Sequence, residues 1–156
     1  MTGISQDIQV DLILSDVSAL NRNQAFEVLA KEIALRLDLP TDELLDALHA
    51  KEKISPSGIG DGVAIPHVKL KALPNRFAAL AILNDTVDFA AADNKPVDLI
   101  CLLASPEHEG PQHLRRLARM SRLLQNPELC KRIREAPNAR SVKSLLAMSQ
   151  EWLMAA

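Results

Sequence analysis

One stretch of the chain, from Ser57 to His67, constrains the fold more than any other part of the sequence. It reads Ser-Gly-Ile-Gly-Asp-Gly-Val-Ala-Ile-Pro-His, with glycine at three alternate positions. Glycine backbone adopts positive φ readily and lets other groups approach closely. After the glycines, Val63, Ile65 and His67 share one face of a strand, because strand side chains alternate with a period of two. Pro66 cannot donate to a sheet ladder, so this strand lies at an edge or ends there.

This stretch places an imidazole beside a loop rich in backbone amides. A neutral imidazole is nucleophilic near pH 7, since its ordinary pKa is about 6.5. The backbone N–H groups of Gly58, Gly60 and Gly62 can form a nest that binds an anion. Together these features indicate that His67 accepts a phosphoryl group. An ordinary surface or core histidine at the end of a strand fits the same residues.

The run Gly-Ile-Gly-Asp-Gly-Val-Ala-Ile-Pro-His resembles the active-site signature of IIA components of the bacterial phosphoenolpyruvate-dependent phosphotransferase system. The resemblance is to the fructose/mannitol type, and within it to the nitrogen-regulatory IIA proteins, and it covers nearly the whole chain. It implies that His67 carries the phosphoryl group and that a protein of the HPr type donates it. It also implies a phosphotransferase component rather than a stand-alone enzyme, with no cofactor and no metal.

His113 is the second candidate site residue. It lies in the first turn of a predicted helix and shares an inward stripe with Leu117, Met120 and Leu124 at helical spacing. The N-terminal end of a helix disfavours an imidazolium and favours a nearby phosphoryl group. The resemblance implies that His113 is the second active-site histidine, which binds the phosphoryl oxygens or orients His67. The alternative is that His113 is a polar residue at the start of a helix whose hydrogen bonds are made locally and serve only the structure.

Three further positions are compared with the family pattern. Ser57 stands where threonine is common and can offer its hydroxyl to the phosphoryl group. Lys51 stands where the family usually has arginine, so it supplies charge without the planar fork of a guanidinium, or it is a solvated lysine at a helix end. Val68 stands where glycine usually follows the histidine. Neither departure changes the nucleophile.

Other sites fit the sequence poorly. The segment from His108 to His113 superficially resembles a zinc-binding motif, but its spacing is one residue too long and Gly-Pro interrupts it. The three glycines have neither the spacing of a dinucleotide fingerprint nor the Lys-Ser/Thr of a phosphate-binding P-loop. A metal-dependent hydrolase and an unphosphorylated binding module remain as rival hypotheses.

Composition narrows the class of protein. The chain has 156 residues and a net charge of −2, with three Phe, one Trp and no Tyr, so neither charge nor stacking residues favour nucleic-acid binding. We find no apolar run of the ~18–20 residues that a membrane span needs and no signal-peptide pattern. These features predict a cytoplasmic protein without membrane insertion. Cys101 and Cys130 are predicted to be reduced structural thiols.

The order of predicted elements gives an α/β fold. We predict a single domain over residues 1–156, with a leader at residues 1–15 and a core at about 16–153. The predicted strands are 16–20, the His67 strand, 76–83 and the central 97–104, separated by a loop at 84–96 and a polar loop at 105–111. The predicted helices run to Leu37 after a cap at Asn21 or Asn23, from a cap at Thr41 to about Lys53, over 112–125, over 127–135, and from a cap at Ser141 to about Trp152.

The resemblance implies a small mixed sheet flanked by helices. It also implies regulation of a target protein such as a kinase or a potassium transporter. A role dedicated to fructose- or mannitol-type sugar uptake is the alternative. A basic run is read as a solvated helix face or as a surface that docks an acidic partner. Its members are Arg115, Arg116, Arg119, Arg122, Lys131, Arg132 and Arg134.

Overall fold

The computed structural model describes residues 9–155, with side chains described through residue 148. Within this part the chain forms six strands and five helices. The strands are β1 (Leu12–Val17), β2 (Gly58–Gly60), β3 (Val63–Ala64), β4 (His67–Leu70), β5 (Phe77–Val87) and β6 (Val97–Pro106). The helices are α1 (Arg22–Leu37), α2 (Thr41–Ile54), α3 (Pro111–Leu124), α4 (Pro127–Glu135) and α5 (Ala139–Ala155).

The strands form one mixed sheet, which confirms the predicted fold class. Its order is β1-β5-β6-β3-β2, and β4 pairs with β6 beyond the end of β3. Strand β5 is antiparallel to β6, whereas β1 is parallel to β5 and both β3 and β4 are parallel to β6. The short strands β3 and β4 therefore follow one another along the same side of β6.

Strand β6 lies at the centre because both of its faces are apolar. Ile100, Leu102 and Ala104 pack in a core with helices α1 and α2. Leu99, Cys101 and Leu103 alternate with them and pack in a second core with α3, α4 and α5. The sheet is thus covered by helices on both sides, as expected for a strand whose sequence is almost continuously hydrophobic.

Helix starts follow local capping, with two corrections. Asn21 caps α1 as predicted, and its side chain accepts a hydrogen bond from Gln24 N at 2.9 Å. The predicted cap at Thr41 is wrong, because Pro40 occupies the cap position and Thr41 is already helical. Ser141 does not cap α5 either. The Asn138 side chain accepts from Ser141 N at 2.9 Å, and the helix begins at Ala139.

Strand bounds differ from the prediction at three places. The predicted strand at 16–20 is wrong, since β1 runs from Leu12 to Val17 and pairs Leu12 with Ala79 of β5. Residues 12–15 of the predicted leader thus belong to the sheet, while residues 1–8 lie outside the described part. The register shifts before Val17, where Asp16 has a φ of 63°.

The two central strands are longer than predicted. Strand β5 runs into the predicted 84–96 loop as far as Val87, which is buried and pairs with Val97. Strand β6 continues to Pro106, so Ser105 belongs to the sheet rather than to a polar loop. In both cases pairing with a neighbouring strand extends the element beyond its apolar residues.

Among the described residues, no helix is long and apolar enough to cross a membrane.

Candidate functional site

His67 lies at the start of β4, where the ladder along β6 is interrupted. Pro66 has no N–H to donate, but its carbonyl accepts a hydrogen bond from Leu103 N at 3.0 Å. Val63 and Ile65 belong to the second core, as their predicted common face requires. The period of two continues this face to His67, whose ring lies against α3 and is partly exposed. The strand therefore fixes the ring while leaving part of it open to solvent.

His113 meets His67 from the first turn of α3. Pro111 opens this helix, as its fixed φ favours. His113 is only 3% exposed, and its Nε2 lies 3.1 Å from Nδ1 of His67. The two ring centroids are 5.2 Å apart. The structure thus brings together the two histidines predicted from the sequence, and it does so through defined ring nitrogens.

Two buried polar residues, Ser105 and Arg116, extend the hydrogen bonds of His113 into the protein. The Nδ1 of His113 lies 2.7 Å from Ser105 Oγ, and Arg116 NH1 donates to the same oxygen at 2.7 Å. Arg116 also donates to the carbonyls of Ala104 and Phe77, at 3.3 and 3.2 Å. These bonds connect helix α3 to the ends of β5 and β6. Through His113 they form a continuous chain from the Arg116 guanidinium to the partly exposed imidazole of His67.

Both imidazoles are biased towards their neutral forms. Burial, followed by the positive charge of Lys51, lowers the pKa of His67 below its ordinary value of 6.5. Burial is also the main cause that lowers the pKa of His113 to about 4, followed by the charges of His67, Arg116, Lys69 and Lys51. Near pH 7 each ring therefore carries one proton and offers one lone pair. A neutral His67 is a competent nucleophile.

The segment between α2 and β2 supplies the other predicted groups. Lys51 lies in the last turn of α2, and its charge acts on both histidines. Glu52 is buried, lies 3.5 Å from Arg22 and accepts from Ser57 N at 3.1 Å. The Ser57 carbonyl in turn accepts from Ile65 N at 2.9 Å. Glu52 therefore holds the backbone that leads into the glycine stretch.

The hydroxyl of Ser57 is buried and has no hydrogen-bond partner within the described part of the chain. A buried hydroxyl without a partner is uncommon in a folded protein, and it is often explained by a function. The site thus has a neutral imidazole, a fixed second histidine and a nearby cation, while no contact within the described part of the chain joins the Ser57 hydroxyl to either histidine. Such a set can accept and hold an anionic group.

Comparison with known proteins identifies the family of this chain. The family model described as "Phosphoenolpyruvate-dependent sugar phosphotransferase system, EIIA 2" matches residues 7–148. The chain belongs to this EIIA family. The family resemblance seen in the glycine-histidine stretch is therefore confirmed.

Relatives of this EIIA chain include nitrogen regulatory proteins. That of Bradyrhizobium diazoefficiens is 34% identical over 145 residues, covering 93% of this chain and 95% of the relative. That of Escherichia coli is 32% identical over 143 residues, covering 87% of this chain and 88% of the relative. The crystal structure of Nitrogen Regulatory Protein IIA-Ntr from Neisseria meningitidis has a TM-score of 0.81 and 26% identity, covering 86% and 92% of the two chains.

The mannitol IIA of Escherichia coli shares the fold of this EIIA chain. Its crystal structure has a TM-score of 0.71 at 18% identity, and the match covers 86% of this chain and 94% of that one. At this identity the likeness bears on the fold alone. The predicted mixed sheet flanked by helices is the architecture that these structures share.

The glycines of this EIIA chain lie away from its histidines. Gly60, Asp61 and Gly62 all have positive φ and form the turn between β2 and β3. Asp61 N donates to the Asp93 carboxylate at 2.8 Å, so this amide is already used within the protein. Val63 directly follows the turn and pairs with Leu99 of β6, whereas His67 pairs with Leu103. These two positions on β6 are four residues apart, a distance of about 13 Å at a strand's rise of 3.3 Å per residue.

The strand register thus separates the Gly60–Gly62 turn from His67 along the sheet, and the anion nest at Gly58, Gly60 and Gly62 stays a prediction. Gly62 has a structural reason to lack a side chain. A Cβ at this position would lie 2.7 Å from Arg134 NH2, which binds Asp98. Gly58 is also a packing position, because a Cβ there would lie 2.8 Å from the Cβ of Ala91. Close packing of the hairpin explains why small residues are needed at these positions.

Sequence reasoning missed Ser105 and Arg116. Ser105 fell in a predicted loop, and Arg116 was grouped with a basic run expected to be solvated. Arg116 is only 2% exposed, so this interpretation is wrong for that residue. A helical spacing of three residues from His113 was the available signal, because positions i and i+3 share a face. Most other members of the run are exposed or partly exposed.

The remaining histidines and both cysteines take no part in the contact between His67 and His113. His49 packs against the ring of Phe26, with centroids 5.7 Å apart, and His108 is exposed. Cys101 and Cys130 are free and buried, as predicted. Burial raises the pKa of Cys101 to about 12, so its thiol is inert at neutral pH. Val68 is buried in the first core, on the sheet face opposite the histidine pair.

Proposed function

We propose that this protein is a phosphohistidine carrier in which Nε2 of His67 accepts and releases the phosphoryl group. The observation that carries this proposal is the 3.1 Å contact between His67 Nδ1 and His113 Nε2. Since one ring nitrogen of His67 is occupied by this bond, the other is left for chemistry. The family supports the same reaction class, because it belongs to a phosphotransferase system.

In the proposed transfer, the phosphoryl group passes from an imidazole of the donor protein to the imidazole of His67. The lone pair on His67 Nε2 attacks phosphorus in line, and the phosphorus–nitrogen bond of the donor breaks with its electron pair on the donor's ring. Such phosphoryl transfers pass through a loose transition state, so positioning and charge stabilisation provide most of the catalysis. Lys51 supplies positive charge, and the Ser57 hydroxyl, which is buried without a partner among the described residues, stays a predicted donor to a phosphoryl oxygen. An HPr-like phosphocarrier is the proposed donor.

The role of His113 is to orient the His67 ring. Its Nε2 lies against His67 Nδ1, and its own Nδ1 is bound to Ser105. The contact supports ring orientation more directly than binding of phosphoryl oxygens. Because both nitrogens of His113 are used, its ring is fixed before any donor arrives, which lowers the cost of assembling the reactive geometry.

We further propose a regulatory role in the cytoplasm. The nitrogen regulatory proteins of two bacteria match nearly the whole chain at 34% and 32% identity. Phosphorylation adds about −1.5 to −2 charges at pH 7, enough to switch binding to a target such as a kinase or a potassium transporter. The phosphorylated and free forms would then have different partners.

Sugar uptake is the second candidate function. A protein of Haloferax volcanii named "PTS system fructose-specific EIIA component" is 31% identical over 150 residues, covering 94% of this chain and 96% of the relative. In this case the phosphoryl group passes to a IIB component. The mannitol IIA of Escherichia coli has been solved in complex with phosphorylated IIB, although at 17% identity this likeness concerns the fold.

A transfer assay tests the proposal. The protein is incubated with phosphoenolpyruvate, enzyme I and an HPr-like carrier, and its intact mass is measured. We expect a gain of one phosphate that is lost in His67→Ala and kept in the matched control His49→Ala. No gain in the wild type, despite a phosphorylated carrier, would favour an unphosphorylated binding module. Pull-downs with each form, against transfer to a IIB protein, separate regulation from sugar uptake.

A further inference from the structure

We propose that Ser105 and Arg116 are positioning residues that set the direction of the hydrogen bond between the two histidines. In this arrangement the proton between the rings stays on His113 Nε2, and His67 Nδ1 accepts it. The inference rests on the proposed function of His67 and deepens it. It assigns a purpose to a buried guanidinium and a buried hydroxyl that do not face the phosphoryl group.

The chain of contacts begins at a fixed donor. A guanidinium has five N–H groups and no acceptor, so Arg116 NH1 donates to Ser105 Oγ, at 2.7 Å. Two backbone carbonyls at the ends of β5 and β6 also accept from Arg116 and hold it in place. Ser105 is fully buried and Arg116 is 2% exposed. Solvent therefore has little part in the orientation of these bonds.

The next bond follows from the hydroxyl of Ser105. Its oxygen accepts from Arg116, and its proton points to His113 Nδ1 at 2.7 Å, the other partner this oxygen has among the described residues. In this direction every donor has an acceptor. In the opposite direction His113 Nδ1–H also donates to Ser105 Oγ, and the hydroxyl proton is buried without a partner. A buried donor without a partner costs free energy, so the first direction is favoured.

The positive charge of Arg116 also favours the direction in which Ser105 donates to His113 Nδ1. Hydrogen bonds in a chain polarise one another, and a cation at one end favours protons displaced away from it. A neutral His113 that accepts at Nδ1 carries its proton at Nε2, which donates to His67 Nδ1 across 3.1 Å. A neutral His67 then carries its own proton at Nε2. The chain thus runs outward from Arg116 to the nitrogen that we propose for phosphorylation.

Phosphorylation then exchanges a phosphoryl group for a proton at one atom. A neutral ring that is protonated on Nε2 has no lone pair there, so the attack uses the tautomer with the proton on Nδ1, which forms when water takes the Nε2 proton and supplies one at Nδ1, with His113 Nε2 then accepting. The P–Nε2 bond forms as the donor's P–N bond breaks, and Nδ1 releases its proton to water. The electron pair stays on the donor ring, which takes a proton from water. His67 Nδ1 accepts from His113 before and after the exchange. The buried chain therefore favours the resting and the phosphorylated forms of His67, and its hydrogen bonds reverse only in the reactive tautomer.

A second consequence concerns the lifetime of the phosphohistidine. A proton on Nδ1 makes the ring a better leaving group, because P–N cleavage then releases a neutral imidazole. A donor already aimed at Nδ1 opposes that protonation. Positive charges around the pair act in the same direction. They belong to Lys51 of α2, Lys69 of β4 and Arg116 of α3, while Glu109, Asp11 and Arg76 face Arg116.

The direction of the chain is measured in the unphosphorylated protein. Nitrogen-15 NMR of the full chain reports which ring nitrogen of each histidine carries the proton. We expect His113 protonated on Nε2 and His67 Nδ1 in its unprotonated, hydrogen-bonded form. A proton on His113 Nδ1 in the wild type would overturn the proposal. This measurement needs no variant and no phosphoryl group, so it stands even if His67 is never phosphorylated.

Variants test the positioning role itself. Ser105→Ala is expected to shift His113 towards the Nδ1–H tautomer, with Ser105→Thr restoring the wild-type signal and Ser144→Ala as an exposed control. In the phosphorylated protein, Ser105→Ala should raise the pKa of His67 Nδ1 by about 0.7 unit, a roughly fivefold change in the protonated fraction, as expected for one hydrogen bond. Unchanged tautomers and an unchanged pKa in a folded Ser105→Ala protein would contradict the role.

Discussion

The Nδ1 atom of His67 lies 3.1 Å from the Nε2 atom of His113, although 46 residues separate them in the chain. One histidine comes from a strand beside β6 and the other from the first turn of α3. The contact joins a partly exposed ring to a buried one, and it leaves a single nitrogen of His67 for reaction. The following predictions test what this pairing does.

Removing His113 should affect transfer more than folding. His113→Ala is expected to slow phosphoryl transfer by about 100-fold, as typically found when one well-placed donor is removed. The loss of stability should be about 2 kcal/mol, because Ser105 loses a buried partner. Transfer rates in both directions and denaturant unfolding measure the two effects. His108→Ala is the exposed control, and equal transfer rates in His113→Ala and wild type would remove His113 from the site.

Stability should fall as the solution becomes acidic. The pKa of His113 is lowered in the folded protein from 6.5 to about 4, so between these values the unfolded state binds a proton that the folded state does not. Stability is then fully present above pH 6.5 and is lost as pH falls, with a slope of at most about 1.4 kcal/mol per pH unit for this group. The lowered pKa of His67 acts in the same direction.

Urea unfolding at a series of pH values measures this slope. The variant His113→Gln should flatten the profile between pH 6.5 and about 4, leaving the smaller contribution of His67. A profile in the variant as steep as in the wild type would show that other groups cause the acid sensitivity.

Lys51 is expected to help acceptance of the phosphoryl group through its charge. Lys51→Met should raise the pKa of His67 and slow phosphorylation by about threefold, and the difference should shrink at high ionic strength, because salt screens partly exposed charges. Lys51→Arg should keep most of the rate. Lys53→Met, two residues further along the same helix and exposed, is the matched control. Equal effects at Lys51 and Lys53 would argue against a local role.

The hairpin glycines should matter for folding rather than for transfer. Gly62→Ala places a side chain at a φ of 82° and within 2.7 Å of Arg134 NH2, so a loss of about 1–3 kcal/mol is expected. Gly110→Ala is the control, since no atom lies within 4 Å of its Cβ position. Because Gly110 is the N-cap of α3, this control should itself cost about 0.5–1 kcal/mol, less than Gly62→Ala. A normally stable Gly62→Ala protein with impaired transfer would restore the glycine turn to the site.

Sequence alone could predict the two histidines and the layers around them. His67 follows a specific glycine-rich stretch, and His113 shares a helical stripe with apolar residues, so each signal is local. The central position of β6 also follows from its hydrophobic run. The helices α1 and α4 were found because Asn21, Pro40 and Pro127 give local start or stop signals.

The buried polar pair could not be found in this way. Ser105 belongs to the sheet only because β4 and β5 pair with the last residues of β6. Arg116 is one of several arginines on a helix, and arginine is rarely buried, so its burial depends on the acceptors that β5 and β6 bring to it. The distance of the glycine turn from His67 was likewise set by strand register, which local sequence does not specify.

The most direct test of the central claim is to locate the phosphoryl group on the wild-type protein. After phosphorylation through the HPr-like carrier, nitrogen-15 and phosphorus-31 NMR identify the histidine and the ring nitrogen that form the P–N bond. The pairing of His67 with His113 predicts a single phosphohistidine at Nε2 of His67, with Nδ1 still accepting a hydrogen bond. Phosphorus on Nδ1 of His67, or on another residue, would contradict it.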